Sequence, residues 1–293
     1  MRRPALASGF AGMAARVLAV VLQSCAQRVG PSAASDRDGA AQQDADAGLP
    51  HLPAPCRQAI DETTLSSRMS IMLTMPGGQP VAWIGGVFRR DGDRANAAQM
   101  NYGPCDLMTV IYPTDAGAGT FEVRTGTTVI QVPQEPQVRG VYGMQLLSPD
   151  ASVFQSGELL RFSVSGDVFP ALSLEVRIPP FLPAEIDGVG AGRQFSISAS
   201  NPAQLDWPPV DAEIRAEFSG TQSSGPGTFR ALVCIFDGRA GHAVVPAAAM
   251  MAMGPGRLLA QVGASCRVAV RVGEQWVTAR AVHGRAWGGS LTP

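Results

Sequence analysis

Between residues 56 and 293, apolar and polar positions succeed one another in short runs broken by turn residues. Leu160-Arg161-Phe162-Ser163-Val164-Ser165 alternates strictly, which places Leu160, Phe162 and Val164 on one side of an extended chain and the polar residues on the other. Runs of the same kind occur at Ser70 to Thr74, Ala82 to Phe88, Leu107 to Tyr112, Thr120 to Arg124 and Thr128 to Val132. A second series covers Gly143 to Leu147, Leu159 to Ser165, Leu172 to Ile178, Gln194 to Ser198, Glu213 to Phe218 and Arg230 to Phe236. It continues through Leu258 to Val262, Val268 to Val272 and Trp276 to Val282. Gly, Pro, Asn and Asp lie between them, each favouring turns for its own backbone reason. One segment reads as helix: Ala247 to Met253, led by Pro246 and ended by Gly254-Pro255. The pattern predicts an all-β protein, an antiparallel β-sandwich or barrel with one short helix.

Two prolines within Val132-Pro133-Gln134-Glu135-Pro136 interrupt the strand series. A boundary there divides the region into a small β domain at 56–135 and a larger β-sandwich domain at 136–293, with a single merged sandwich as the alternative. Residues 26–55 differ in kind. Val29, Leu49 and Leu52 are their only large aliphatics, too little apolar surface to offset the entropy of ordering, so a disordered linker is expected.

The pattern changes again at the start. Arg2, Arg3 and Arg16 precede the apolar run Val17 to Leu22, far below the roughly 20 residues of a membrane-spanning helix. Basic residues, a short apolar core and small residues after it form an export signal over residues 1–25. Leu22-Gln23-Ser24-Cys25 resembles the lipobox of bacterial lipoproteins, with Cys25 as the residue that takes the lipid and Gln23 as a departure. Several acyl chains on Cys25 would hold a soluble domain on a membrane, each buried methylene contributing about 0.8 kcal/mol. Ala26 after the cysteine leans toward the outer membrane. Ordinary cleavage after Ala26, giving a periplasmic or secreted protein, stays open.

With Cys25 set aside, Cys56, Cys105, Cys234 and Cys266 remain, an even number suited to disulfides in an oxidising compartment. Three connectivities are open. Proximity favours Cys56–Cys105 and Cys234–Cys266, one staple per domain.

Charge excludes more than it identifies. The net charge is −1, so neither a nucleic-acid footprint nor a polybasic membrane patch is expected. Every basic residue is arginine, which the Ala, Gly and Pro abundance of the chain attributes to codon bias. The histidines His51, His242 and His283 stand far apart, none beside a second ligand at metal-binding spacing. No G-x-S-x-G occurs, and Gly188-Val189-Gly190-Ala191-Gly192 follows no strand and opens no helix, so it reads as a loop. Asp91-Gly92-Asp93-Arg94-Ala95-Asn96 has oxygen ligands at alternate positions, but Arg89, Arg90 and Arg94 oppose a cation, which favours a polar hairpin. Asp206 beside Trp207 and Glu274 near Trp276 are carboxylates that would serve a glycosidase only if paired in space. Trp83, Trp207 and Trp276 fall in strand patterns suited to a core, whereas Trp287 in the glycine-rich tail is expected to be exposed. Met250, Met251 and Met253 read as core filling on the helix, with a methionine ligand surface as the sharper alternative.

Leu205-Asp206-Trp207-Pro208-Pro209, Ala231-Leu232-Val233-Cys234-Ile235-Phe236-Asp237 and Val244-Val245-Pro246-Ala247, following Phe154 to Ser165, together resemble a module of exported bacterial lipoproteins of the myxobacterial type. The resemblance implies an immunoglobulin-like exported fold over the C-terminal part of the chain, and no activity. The expected function is a noncatalytic cell-envelope lipoprotein with a structural or protein-binding role. A carbohydrate-binding or adhesive module, and an enzyme assembled from distant residues, are the alternatives. No catalytic, cofactor-binding or metal residue is expected; the partners would be a membrane, through the lipid, and an envelope protein or glycan.

Overall fold

The computed structural model describes residues 56, 65–75, 79–89, 96–111, 116–136, 138–190, 194–220 and 228–293. The export signal with Cys25, the linker with His51, and residues 90–95 of the acidic loop lie outside them. The chain is all-β, as its alternation predicts. In order it forms β1 (Leu65–Thr74), β2 (Val81–Val87), β3 (Asn96–Tyr102), β4 (Cys105–Ile111), β5 (Phe121–Thr125) and β6 (Thr128–Val132). There follow β7 (Val141–Leu147), β8 (Leu159–Val164), β9 (Leu172–Arg177), β10 (Glu185–Ile186), β11 (Phe195–Ser198) and β12 (Ala203–Asp206). The last elements are β13 (Glu213–Gly220), β14 (Thr228–Asp237), β15 (His242–Val245), the helix α1 (Ala247–Met253), β16 (Gly256–Val272) and β17 (Gln275–Thr292).

A ten-stranded sheet runs β3-β4-β14-β13-β16-β17-β1-β2-β7, with β11 also paired to β17. A four-stranded sheet, β6-β5-β8-β9, and a three-stranded one, β10-β12-β15, complete the fold. β9 packs against β16 and β17, joining the four-stranded sheet to the long one. Near β2 and β7 the same two sheets meet through rings. Phe88, Phe121 and Tyr142 contact one another edge to face with centroids 5.5–5.8 Å apart, and Phe162 stacks on Phe121 at 6.2 Å. Such contacts are worth about 0.5–1.5 kcal/mol each beyond the area they bury.

Most pairings are antiparallel, but β1 and β11 both run parallel to β17. β17 is longer than its sequence pattern predicts, and β16 unites two predicted strands. Gly263-Ala264-Ser265-Cys266-Arg267 looks like a break, yet Ala264 and Cys266 are buried in the middle of β16. The tail after His283 continues as strand. At Gly289 a Cβ would run into the Phe195 carbonyl and ring, so glycine there admits close approach of β11 rather than mobility.

Strands from both sides of the expected boundary at residue 135 share the long sheet: β1 to β4 lie beside β13, β14, β16 and β17. The prolines after β6 mark the passage from the four-stranded sheet to β7 of the long one, and both sheets take strands from either side of them. The cysteine pairing is corrected accordingly. The four cysteines are bonded, but as Cys56–Cys266 and Cys105–Cys234, with sequence separations of 210 and 129. Cys105 and Cys234 are direct register partners on β4 and β14, so the sheet order, not chain proximity, selects the pair. Each loop of this length, taken alone, corresponds to about 5 kcal/mol in the chain-entropy model. The two bonds point to an oxidising compartment outside the cytoplasm.

Helix α1 has the predicted boundaries. It packs on β4 and β14 through Ala249, Met250 and Met253, while Met251 faces solvent. Arg230 donates to the Ala252 carbonyl at 2.9 Å, satisfying one of the acceptors left at the end of the helix.

Candidate functional site: the charged face of the long sheet

Residues of a strand alternate between the two sides of its sheet, and β13 separates them sharply. Ile214, Ala216 and Phe218 face the apolar layer and are fully buried. Glu213, Arg215, Glu217 and Ser219 face the other way. Register carries this polar side across the sheet. Glu213 pairs with Ser265, Ser265 with Val282, Val282 with Met72, and Met72 with Trp83. One row along, Arg215 pairs with Gly263, Gly263 with Gly284, and Gly284 with Thr74. On the other flank Arg267 pairs with Arg280, and Arg280 with Ser70. Thr278 and Arg68 form the row beyond.

Gly263 and Gly284 are directly opposite, and a Cβ on Gly284 would strike the Val262 carbonyl and the Gly263 backbone. A Cβ on Gly263 would lie 2.8 Å from a Val282 methyl and 3.0 Å from the His283 carbonyl. The two longest strands therefore approach each other at a point where no side chain fits. Glu217 on β13 also feels the charges of Arg68 on β1 and Arg280 on β17.

Arg215 holds the Glu217 carboxylate at 3.1 Å, with side-chain exposures of 3% and 22%, and Arg267 holds Glu213 at 3.3 Å. Burial pushes the Glu217 carboxyl up, but Arg215, Arg68 and Arg280 together outweigh it and hold the group below the usual carboxylate range. The buried polar atoms of this face that lack a hydrogen-bond partner include Ser265 Oγ, Thr74 Oγ1, Trp83 Nε1 and Glu213 Oε1. Native folds leave few such groups, so their concentration on one face singles it out.

The residues weighed in the sequence are scattered by comparison. His283 lies in β17, buried, with Nδ1 3.1 Å from the Pro179 carbonyl and 3.2 Å from Ser156 Oγ. A carbonyl can only accept, so Nδ1 carries the proton and cannot take one from Ser156; the contact is not a nucleophile–base pair. Burial lowers the His283 pKa more than the Pro179 contact raises it. His242 is exposed at the start of β15, in a different sheet, with Nδ1 3.1 Å from the Ala240 carbonyl. Asp206 lies in β12 of the three-stranded sheet and Glu274 in the turn between β16 and β17 of the long one. Among the described residues, no group of three or more His, Cys, Asp or Glu side chains is arranged to hold a metal ion. Gly188 turns the chain with φ +71° next to an Ile186–Val189 bridge, as a loop. Trp287 is not exposed: only 1% of it reaches solvent, and its Nε1 donates to Gly190 at 3.1 Å. Glycines on either side disguise it as a frayed tail, although they are what lets the strand pack.

The charged face itself was missed because no part of it is a motif. Its residues come from β1, β2, β13, β16 and β17, and the one local signal is the alternation Glu213-Ile214-Arg215-Ala216-Glu217-Phe218. No helix among the described residues is long and apolar enough to cross a membrane. Neither a scan of family models nor a search among curated proteins returned a match for this chain.

Proposed function

We propose that this chain is an exported, noncatalytic protein of the cell envelope, held to a membrane by lipid on Cys25, whose β-sheets bind another envelope component. The observation that carries the reading is the pair of buried disulfides, Cys56–Cys266 and Cys105–Cys234, which require an oxidising compartment. The apolar run that ends at Leu22 supplies the export route, and Cys25 the anchor. Intact mass with radiolabelled palmitate tests the anchor. Label is expected in the wild type and absent from Cys25→Ala; undiminished label in the variant would sink it. A carbohydrate-binding role is the second reading, favoured by one observation: a sheet side that combines Trp83 with arginines, hydroxyls and carboxylates.

A further inference from the structure

A strand at the end of a sheet carries backbone groups that no neighbour uses, and folded chains normally guard them. Of the four strands that end the two larger sheets, three are guarded. β3 is bulged between Ala97 and Met100. β7 is overlaid by the chain that follows β6: Gly143 donates to the Pro133 carbonyl, Glu135 to that of Val141, and Gln134 bridges to Tyr142. β9 lies against β16 and β17. β6 is different. Its sequence, Thr128-Val129-Ile130-Gln131-Val132, has no charge and no proline, and its pairing with β5 has no bulge. The two-residue turn Gly126-Thr127 makes Thr125–Thr128 the first hydrogen-bonded pair of the hairpin, followed by Val123–Ile130 and Phe121–Val132. The N–H and C=O groups of Val129 and Gln131 therefore point the other way, off the sheet. Among the described residues no strand pairs with them, and both side chains are exposed, Val129 by 43%.

Charge beside this edge selects what fits it. On the outward face Arg124 stands opposite Val129, and Glu122 opposite Gln131. On its other flank Arg124 faces Arg161, whose guanidinium is already held by Glu175 at 2.8 Å. Like charges directly opposite are unfavourable, and Arg124 forms no ion pair among the described residues. The edge thus has positive charge at one end and negative charge at the other. A strand with the same arrangement, laid antiparallel, brings opposite charges together; laid parallel, it sets arginine beside arginine. A second copy of β6 has that arrangement. When Val129 of each copy pairs with Gln131 of the other, a two-fold axis passes between the two Ile130 residues and four backbone hydrogen bonds form. Arg124 then shares a row with Glu122 of the second copy. Their strands are three spacings apart, about 14 Å, which extended arginine and glutamate side chains bridge.

We propose that β6 is a dimerisation edge: two copies of this chain pair β6 with β6, antiparallel, and join their four-stranded sheets into one of eight strands. Arg124 and Glu122 fix the direction and register of the pairing. The proposal does not rest on the lipid anchor or on a ligand of the long sheet.

Sedimentation velocity of the full chain, with both disulfides oxidised, tests it across a dilution series. A dimer is expected that dissociates as the chain is diluted. Gln131→Pro removes an outward N–H that the pairing with β5 does not use, so it should weaken the dimer about tenfold or more with little change in Tm. Val129→Lys places a charge on the same edge and should do likewise, and it decides the matter if the proline variant fails to fold. Arg124→Glu and Glu122→Arg should each weaken the dimer several-fold. Their combination should restore it, because the exchanged charges again meet their opposites. A monomer at every concentration, a dimer that the edge variants leave intact, or charge reversals that the double variant does not repair would overturn the proposal.

Discussion

The two sides of the long sheet are made by the same strands and solve opposite problems. On one side Ile214, Ala216, Phe218, Val262, Ala264 and Ala281 are buried among apolar neighbours, and both disulfides lie in that core. On the other, Glu213, Arg215, Glu217, Arg267 and Arg280 stand at low exposure, with Arg215 paired to Glu217 and Arg267 to Glu213. The first arrangement gains from dispersion and from apolar area removed from water. The second loses hydration and regains it only through mutual attraction, which is a poor route to stability. A sheet that spends one side on charge has put that side to use as something other than core.

Substitutions on β13 break the comparison most directly, since adjacent residues sample the two sides. Phe218→Ala, on the apolar side, should cost about 3–5 kcal/mol in urea unfolding, the range for a deleted core aromatic. Arg215→Ala should cost about 3 kcal/mol, because it leaves Glu217 desolvated without its nearest cation. The double variant Arg215→Met with Glu217→Leu should recover most of that loss, whereas no partner substitution is expected to rescue Phe218→Ala so simply. A double variant as unstable as Arg215→Ala would mean that the charges hold the sheet together. Gly284→Ala tests the close approach of β16 and β17. It should cost about 1–3 kcal/mol by thermal unfolding, since the added methyl meets backbone that cannot step aside.

The smallest effect is in pH. Glu217 binds protons less readily in the folded chain than in the unfolded one, so its contribution to stability is present above the ordinary carboxylate pKa. It is lost as pH falls through the lowered folded value. His283, lowered as well, has the same sign in a higher window: stability should decline as pH drops below the ordinary histidine range. Urea midpoints across these two windows should show both steps. Glu217→Gln should remove the lower step and His283→Gln the upper; a lower step unchanged in Glu217→Gln would separate that carboxylate from the network.

Local order was the legible part of the sequence. Strict alternation gave away β8, and Pro246 with Gly254 framed α1, because these signals act within a few residues. Pairing across the chain was not legible. Proximity pointed to Cys56–Cys105, but Cys105 lies opposite Cys234 only once β4 has found β14. β10, β12 and β15, short and held by one another, carry too few residues for a periodic signal. Nor could Ser265 be told from an ordinary strand hydroxyl, since its burial depends on the strands that flank it, β13 and β17.

The parallel match of β1 with β17 has a consequence in time. β1 sits between β17 and β2, so the long sheet has no continuous middle until the two ends of this region meet. Cys56 and Cys266, 210 residues apart, close the same circuit. Contacts of such long range are slow to form, and a chain delivered from one end must hold β1 without its partner until β17 arrives. Early in synthesis this architecture leaves the chain open and threadable. Its stability is conferred late, at wherever the last strand is delivered.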